Sequence, residues 1–422
     1  MKEKAKVDYK WFVLGACFLM VFVCLGFCSS NKGLYLTAIT EAVGIPRGLF
    51  SFNDSSRYVA TAVANLFFGL LLGRLGTRKL VTIGFAATIA SMLLYAFATD
   101  IVTFCIGGAL LGVGLAFTTT TMASSVIRRW FVKDIGKYTG IVFAANGIGA
   151  TVASLIATPL INEPGNPFGY RNSYLLVVAI LVVSGIAIVA LLKDPREPIA
   201  TPPSAAKVKQ QQAVYIGVPF AQVRHKPFFY ISGIIVLLTG LCLQGISGAY
   251  AAHLQDVGLT PELIAVVVSI SSLAMTASKI LTGWMYDRFG LSVVMTMCQV
   301  AAVAAFLCLA LADSSVYGIA LTVAFAILYA IALPLETLLV PLLVNNFFGI
   351  IAYDKTLGLF AAVNYVGYAI GAPLVNLSFD ISKSYKPVLL VFAALMVIIT
   401  VAFRFVLRSV TKFKQQNNPI KE

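Results

Sequence analysis

Apolar residues run along this chain in blocks of twenty or more, parted by short polar breaks, without the strict alternation that marks a half-buried strand. Twelve such blocks stand out, at 11–37, 49–72, 80–99, 101–125, 138–161, 172–192, 228–252, 262–284, 291–311, 315–345, 356–378 and 387–407. A helix of about 20 apolar residues crosses the hydrocarbon of a bilayer. In that medium a chain must satisfy its own N–H and C=O groups, so only helices or a closed barrel can span it. The ten-residue alternating segments of a barrel are absent. The pattern predicts an all-α polytopic membrane protein with twelve transmembrane helices. The longest polar stretch, 193–227, contains "KDPREPIATPPSAAKVKQQQ" and reads as a flexible linker. It separates an N-terminal six-helix bundle, 1–192, from a C-terminal one, 228–422.

The two halves repeat one another. Between spans 2 and 3 the chain reads "GLLLGRLGTRK", Gly69 to Lys79; between spans 8 and 9 it reads "GWMYDRFG", Gly283 to Gly290. Gly69, Arg74 and Gly76 match Gly283, Arg288 and Gly290 at an offset of 214 residues. Gly140, Asn146 and Gly149 in span 5 match Gly358, Asn364 and Gly367 in span 11 at an offset of 218. Tyr170 and Arg171 match Tyr385 and Lys386 at 215. Three ordered matches at nearly one offset indicate a parallel, pseudo-symmetric duplication. Such a duplication predicts a binding site near the membrane midplane.

Composition sharpens this reading. Charged residues make up 11% of the chain and mean hydropathy is +0.90, against about 25% charged in a soluble domain. That excludes a water-soluble enzyme and a disordered chain. The net charge of +14 suggests a polyanion partner until the charges are located. With the N-terminus inside, the inner segments hold 24 of the 31 basic residues and the outer ones five. The excess is therefore a topology signal that puts both termini in the cytoplasm, with anionic lipid as its partner and no nucleic acid. The seven cysteines all fall within spans and read as packing residues, without metal spacing.

The residues Gly69, Arg74, Gly76, Arg78 and Lys79, with Gly283, Asp287, Arg288 and Gly290, resemble the signature loop of the major facilitator superfamily. The resemblance implies two rocking six-helix bundles and alternating access, with Arg74, Asp287 and Arg288 as latch residues. Gly73 stands where the first copy of that loop would carry Asp. The stretches "GLAFTTTTMASSVIRRWF", "GYRNSY", "ASKILTGWMYDRFG" and "GLFAAVNYVGYAIGAP" resemble the monocarboxylate-porter and oxalate/formate-exchanger branch. In that branch a span 8 cation holds the substrate carboxylate, and its position here is Lys279. Met275 replaces the Asp found one turn earlier in animal porters, and Asn364 replaces the span 11 Lys of the oxalate exchanger.

The charges inside the spans carry the chemistry on their own terms. A charge at the bilayer centre costs at least ~2.5–3.5 kcal/mol, so it faces a cavity or a partner. Lys279 lies eight residues from Asp287, about 12 Å of helix from the inner end. It is either a fixed positive charge for an anionic substrate or a structural partner of Glu336. Glu336 lies between Pro334 and Pro341 in span 10, where proline breaks helical bonding and makes a bending gate. It is a candidate coupling or gating carboxylate, or a salt-bridge partner of Lys279 or Arg57. Arg57 in span 2 could clamp a carboxylate or pair with Asp54, three residues back. His253 near the outer end of span 7 is a candidate gating group. Thr118, Thr119, Asn146, Asn364, Tyr329 and Tyr365 are candidate substrate contacts, each with helix bonding or packing as the competing use.

No nucleotide loop or metal cluster is present in the sequence, so energy must come from an ion or substrate gradient. The expectation is a secondary active transporter without cofactor or metal. It would be monomeric and lie in a bacterial inner membrane. It would move a small organic anion, a mono- or dicarboxylate, by proton symport or anion exchange. Efflux of amphipathic compounds by proton antiport and a non-transporting membrane sensor are the alternatives.

Overall fold

The computed structural model of the chain describes residues 9–30, 32–50, 52–131, 133–164, 166–194, 219–247 and 249–416. Positions 195–218 of the expected linker lie outside the described residues, as do the side chains of Lys32 and Arg47. Among the described residues ten helices are long and apolar enough to cross a membrane. Two of them carry an internal break that divides them. Phe68–Phe97 breaks at Gly76 (φ 76°, ψ 168°), and Pro261–Ala310 breaks at Gly290 (φ 79°, ψ 172°). Residues before Gly76 continue Phe52–Leu66 as span 2, and those after it form span 3; Gly290 parts span 8 from span 9 in the same way. Twelve spans result. Both glycines occupy backbone space that is essentially closed to other residues. The repeated motif is thus a repeated reversal of the chain.

Two compact units are present: Met1–Ala64 with Leu70–Pro198, and Asn65–Gly69 with Ile199–Glu422. In the first, span 5 (Ile135–Ile161) lies against span 1 (Lys10–Phe27), where Phe22–Phe27 is wound as a π-helix. A Cβ on Gly149 would sit 2.3 Å from the carbonyl oxygen of Phe22, so the two backbones touch. In the second unit, span 11 (Tyr353–Ser382) meets span 7 (Pro227–Ser247) in the same manner. There a Cβ on Gly367 would sit 2.3 Å from the carbonyl oxygen of Leu237. Small residues at such crossings let helices gain dispersion contact where the hydrophobic effect offers nothing.

Further departures from straight helix come in pairs. Span 1 ends in a turn at Cys28–Ser30 and a new helix starts at Lys32, whereas the apolar pattern ran on to 37. The Ser30 hydroxyl donates to the carbonyl of Leu25 at 3.1 Å, so a side chain competes with the ladder there. Span 7 likewise stops at Ser247 and Tyr250–Asp256 follows. Span 4 is interrupted at Thr119 (φ −126°, ψ −136°), between Ile101–Thr118 and Thr120–Trp130. Span 10 is interrupted from Leu333 to Leu338, between Val316–Ala332 and Leu339–Phe348. Polar side chains hold the starts of these same two spans: Asp100 is the N-cap of span 4, and Ser315 is the N-cap of span 10, accepting from the Gly318 backbone N–H at 3.1 Å. Asp100 accepts from the Thr103 backbone N–H at 2.9 Å and its hydroxyl at 2.7 Å, and Asp313 accepts from the Ser315 backbone N–H at 2.8 Å.

Candidate functional site

In the second unit the break in span 10 sets the chemistry. Pro334 has no N–H to give, and its ring cannot follow a regular turn. The helix stops at Ala332, a 3₁₀ turn covers Leu333–Leu335, and Glu336 falls in the turn beyond it. Its backbone carbonyl is released from helical bonding. Span 11 takes it up: Asn364 Nδ2 donates to it at 2.8 Å and the Tyr368 hydroxyl at 3.2 Å. Asn364 Nδ2 also reaches the Tyr368 oxygen at 3.0 Å. Gly240 of span 7 makes room for this amide, since a Cβ there would lie 2.5 Å from Asn364 Oδ1. Asn364 Oδ1 and one carboxylate oxygen of Glu336, Oε2, are buried without a hydrogen-bond partner among the described residues.

Lys279 of span 8 faces this arrangement. It is 3% exposed and Glu336 7%. The two charges act on one another electrostatically, yet among the described residues no carboxylate lies within the 4.0 Å of a direct ion pair with Lys279. Among the described residues its ammonium makes no hydrogen bond either. A buried ammonium without such a partner forfeits several kcal/mol of hydration. The arrangement is an attracting pair held beyond ion-pair distance, with Glu336 Oε2 left without a hydrogen-bond partner among the described residues.

Tyr329, 2% exposed, stacks on Phe325 at 5.3 Å and its hydroxyl donates to the carbonyl of Leu243 at 2.8 Å. Tyr365 sets its ring against Tyr368 at 5.0 Å. His253 is buried away from solvent, with Nε2 at 3.0 Å from the carbonyl oxygen of Leu309 and its ring edge-on to Tyr385 at 5.8 Å. Asp287 and Arg288 are exposed, and the Arg288 guanidinium lies over the rings of Trp284 and Phe289 at 5.3 and 5.5 Å.

The first unit holds the other buried cation of the candidate set. Arg57 is 5% exposed and pairs with Asp54 at 3.5 Å. It also donates to the Ser29 hydroxyl and lies over the Tyr58 ring at 4.4 Å. Gly112 of span 4 fixes its backbone, for a Cβ there would sit 2.3 Å from the Arg57 carbonyl oxygen. Asn146 Oδ1 accepts from the Ser30 hydroxyl at 2.6 Å. Thr118 and Thr119 donate within their own helix, to the carbonyls of Gly114 at 2.8 Å and Leu115 at 2.6 Å. Arg74 is exposed beside the Gly76 break. Gly73 stands opposite Asp287 in the repeat, and an acid that binds the Gly76 turn in this unit is Asp194. It takes the Thr77 hydroxyl, the Thr77 backbone N–H at 3.4 Å and the Arg129 guanidinium at 3.2 Å.

Lys279, Glu336, Asn364 and Tyr368 are thus neighbours, and Arg57 with Ser29 and Asn146 with Ser30 form two adjoining contacts. The serines were not candidates in the sequence reading. Their signal is the polar "SSN" after Cys28, inside a block that otherwise reads as unbroken span.

Known proteins show the same frame. The sequence profile of the Major Facilitator Superfamily matches residues 17–344 and 233–422. The chain belongs to this superfamily. Monocarboxylate transporter 13 of Bos taurus is 26% identical over 389 residues, covering 89% of this chain and 84% of that protein. The proton-coupled antiporter flippase LtaA of Staphylococcus saprophyticus is 24% identical over 271 residues, covering 63% and 60%. The crystal structure of the superfamily transporter FucP in its outward conformation superposes with a TM-score of 0.68 at 18% identity, over 94% of this chain and 98% of that one. This major facilitator chain is therefore a multi-pass membrane transporter and not an enzyme.

Proposed function

We propose that this chain carries a small organic anion, a mono- or dicarboxylate, with Lys279 as the fixed charge that meets the carboxylate. One observation carries the reading: a buried ammonium without a direct partner among the described residues, facing a proline-broken span that bears Glu336. The monocarboxylate transporter among its relatives supports the same substrate class. Arg57, already held by Ser29 and Asp54, is a second cation for a dicarboxylate. Asn146, Asn364, Tyr365 and Tyr329 offer amides and rings that suit a small organic body.

The cycle follows from electrostatics. Occluding an empty site would bury Lys279 with Glu336 as a counter-charge at a distance, which costs several kcal/mol when that counter-charge is lost. An arriving carboxylate neutralises the ammonium and lowers that cost, so loaded carriers close more readily than empty ones. Glu336 decides the coupling. If it takes a proton with the substrate and gives it up after release to compensate Lys279, the empty carrier can return and transport is proton symport; if it stays protonated, Lys279 is left uncompensated, the empty carrier is arrested and transport is exchange. The inner-facing basic excess supports a cytoplasmic location for both termini, with two six-span halves joined by 193–227 and a monomer as the working unit. Asp287, Arg288 and Arg74 act as latch residues at the glycine turns and His253 as an outer gate.

Efflux of amphipathic compounds by proton antiport is the competing reading, supported by the flippase relative. Reconstituted protein decides between them. Labelled lactate, formate, oxalate and succinate are offered to proteoliposomes, with and without a pH gradient and with and without internal carboxylate. Carboxylate uptake abolished by Lys279→Gln supports the anion reading. Dye extrusion without any carboxylate uptake overturns it.

A further inference from the structure

Away from Lys279 and Glu336, the second unit carries a basic groove of about 690 Å³ near the C-terminal end of span 12 (Lys386–Gln416). It is lined by Ser292, Arg404, Leu407, Arg408, Thr411 and Lys412. Three of these six are cations, two carry hydroxyls and none is acidic. Arg404 leans across to span 9, with Nη1 at 3.4 Å from the Ser292 hydroxyl oxygen, so the groove lies in the seam between two helices. Arg404, Arg408, Thr411 and Lys412 are all exposed.

The helix face leading into the groove changes character along its length. Val397, Val401, Arg404, Arg408 and Lys412 follow one another at helical spacing and share one stripe. Val397 and Val401 are 48% and 52% exposed, and Phe405 beside them is 61% exposed. The stripe is apolar over its first part and cationic over its last, about 22 Å from end to end. That is the profile of a phospholipid laid along a protein: acyl chain on the valines, headgroup phosphate among the guanidinium groups. Arginine forks match phosphate oxygens two at a time, and the two hydroxyls supply further donors.

We propose that this groove binds an anionic phospholipid, with the headgroup phosphate on Arg404, Arg408 and Lys412 and the acyl chain along Val397 and Val401. The site is separate from the proposed substrate chemistry and stands or falls without it.

The test uses delipidated full-length protein in detergent, titrated with dioctanoyl-phosphatidylglycerol, dioctanoyl-phosphatidylcholine or inorganic phosphate. Binding is read by native mass spectrometry and by the thermal midpoint. Phosphatidylglycerol is expected to bind and to raise the midpoint, and phosphatidylcholine to do neither. Arg404→Gln with Arg408→Gln is expected to weaken phosphatidylglycerol about 30-fold, at a factor of roughly five per surface cation. Lys79→Gln with Lys133→Gln, which removes equal charge elsewhere, is expected to leave it unchanged. Should the groove variant fail to fold, Arg408→Gln alone gives the expected fivefold loss. Equal affinity in wild type and groove variant overturns the proposal. So does equal loss in the control variant, and so does inorganic phosphate that matches the lipid at the same concentration.

Discussion

Replacing Lys279 by Gln or Met separates the two uses a buried ammonium can have. The wild-type side chain is 3% exposed and has no direct ion-pair or hydrogen-bond partner among the described residues. If its partner is the substrate, removal affects affinity and stability in opposite senses. Truncating one member of a buried charge pair costs about 2–5 kcal/mol of binding. That weakens a carboxylate roughly 30- to 5,000-fold. The ligand-free protein should gain stability, because an uncompensated charge has been taken out of the interior. An uncharged amide analogue of the same carboxylate should bind both forms alike. The assay is a thermal-shift titration of purified protein with carboxylates, in which ligand raises the midpoint by mass action. Labelled-substrate counterflow in proteoliposomes accompanies it. Unchanged carboxylate affinity in Lys279→Gln refutes the reasoning. A ligand-free Lys279→Met protein that melts well below wild type refutes it too, since the lysine would then be holding the fold together.

Other outcomes follow from the same structure. Glu336→Gln should abolish accumulation driven by a pH gradient while counterflow persists; accumulation that survives in this variant puts proton coupling elsewhere. Gly290→Ala and Gly76→Ala should each lose about 1–3 kcal/mol of stability, because φ near +76–79° with ψ near 170° excludes a Cβ. A thermal midpoint equal to wild type would show that the chain turns by another route. The Thr103 hydroxyl and backbone N–H beside Asp100 hold its carboxyl below the usual carboxylate range. That contribution is present above the ordinary pKa of about 3.9 and fades as pH falls through the lowered folded value. Asp100→Ala should therefore lower the midpoint at pH 7 and converge on wild type in strong acid, and a constant difference across pH would contradict the cap.

Twelve spans were legible in the sequence because hydrocarbon leaves the backbone no other solution, and because Gly76 and Gly290 occur in matching motifs. The turns after spans 1 and 7 were not, since Ser29, Ser30 and Ser247 sit inside blocks whose average hydropathy hides a local break. Lys279, Glu336 and Asn364 were visible as candidates, as polar groups in oil must be. Their grouping was not, because it depends on a carbonyl that only an unwound span 10 sets free for Asn364 and Tyr368. Arg57 shows the converse. Its partner Asp54 could be read from a three-residue spacing, but Ser29, which it also holds, is brought in by the end of a π-wound turn.

The repeat also shows where chemistry departs from architecture. Gly149 and Gly367 make the same helix crossing in the two units, and spans 4 and 10 break at Thr119 and Leu333, an offset of 214 residues. The charged positions do not follow. Carried across at that same offset, Lys279 falls on Asn65, Glu336 on Met122 and Arg57 on Ser271. A frame that must bend alike in both halves conserves its glycines and its broken helices. A substrate with one charged end needs its counter-charge in one half only. If the substrate is a monocarboxylate, the Lys279 side should therefore dominate binding, and Arg57→Gln should cost far less affinity than Lys279→Gln. Equal losses from the two substitutions would mean a ligand charged at both ends.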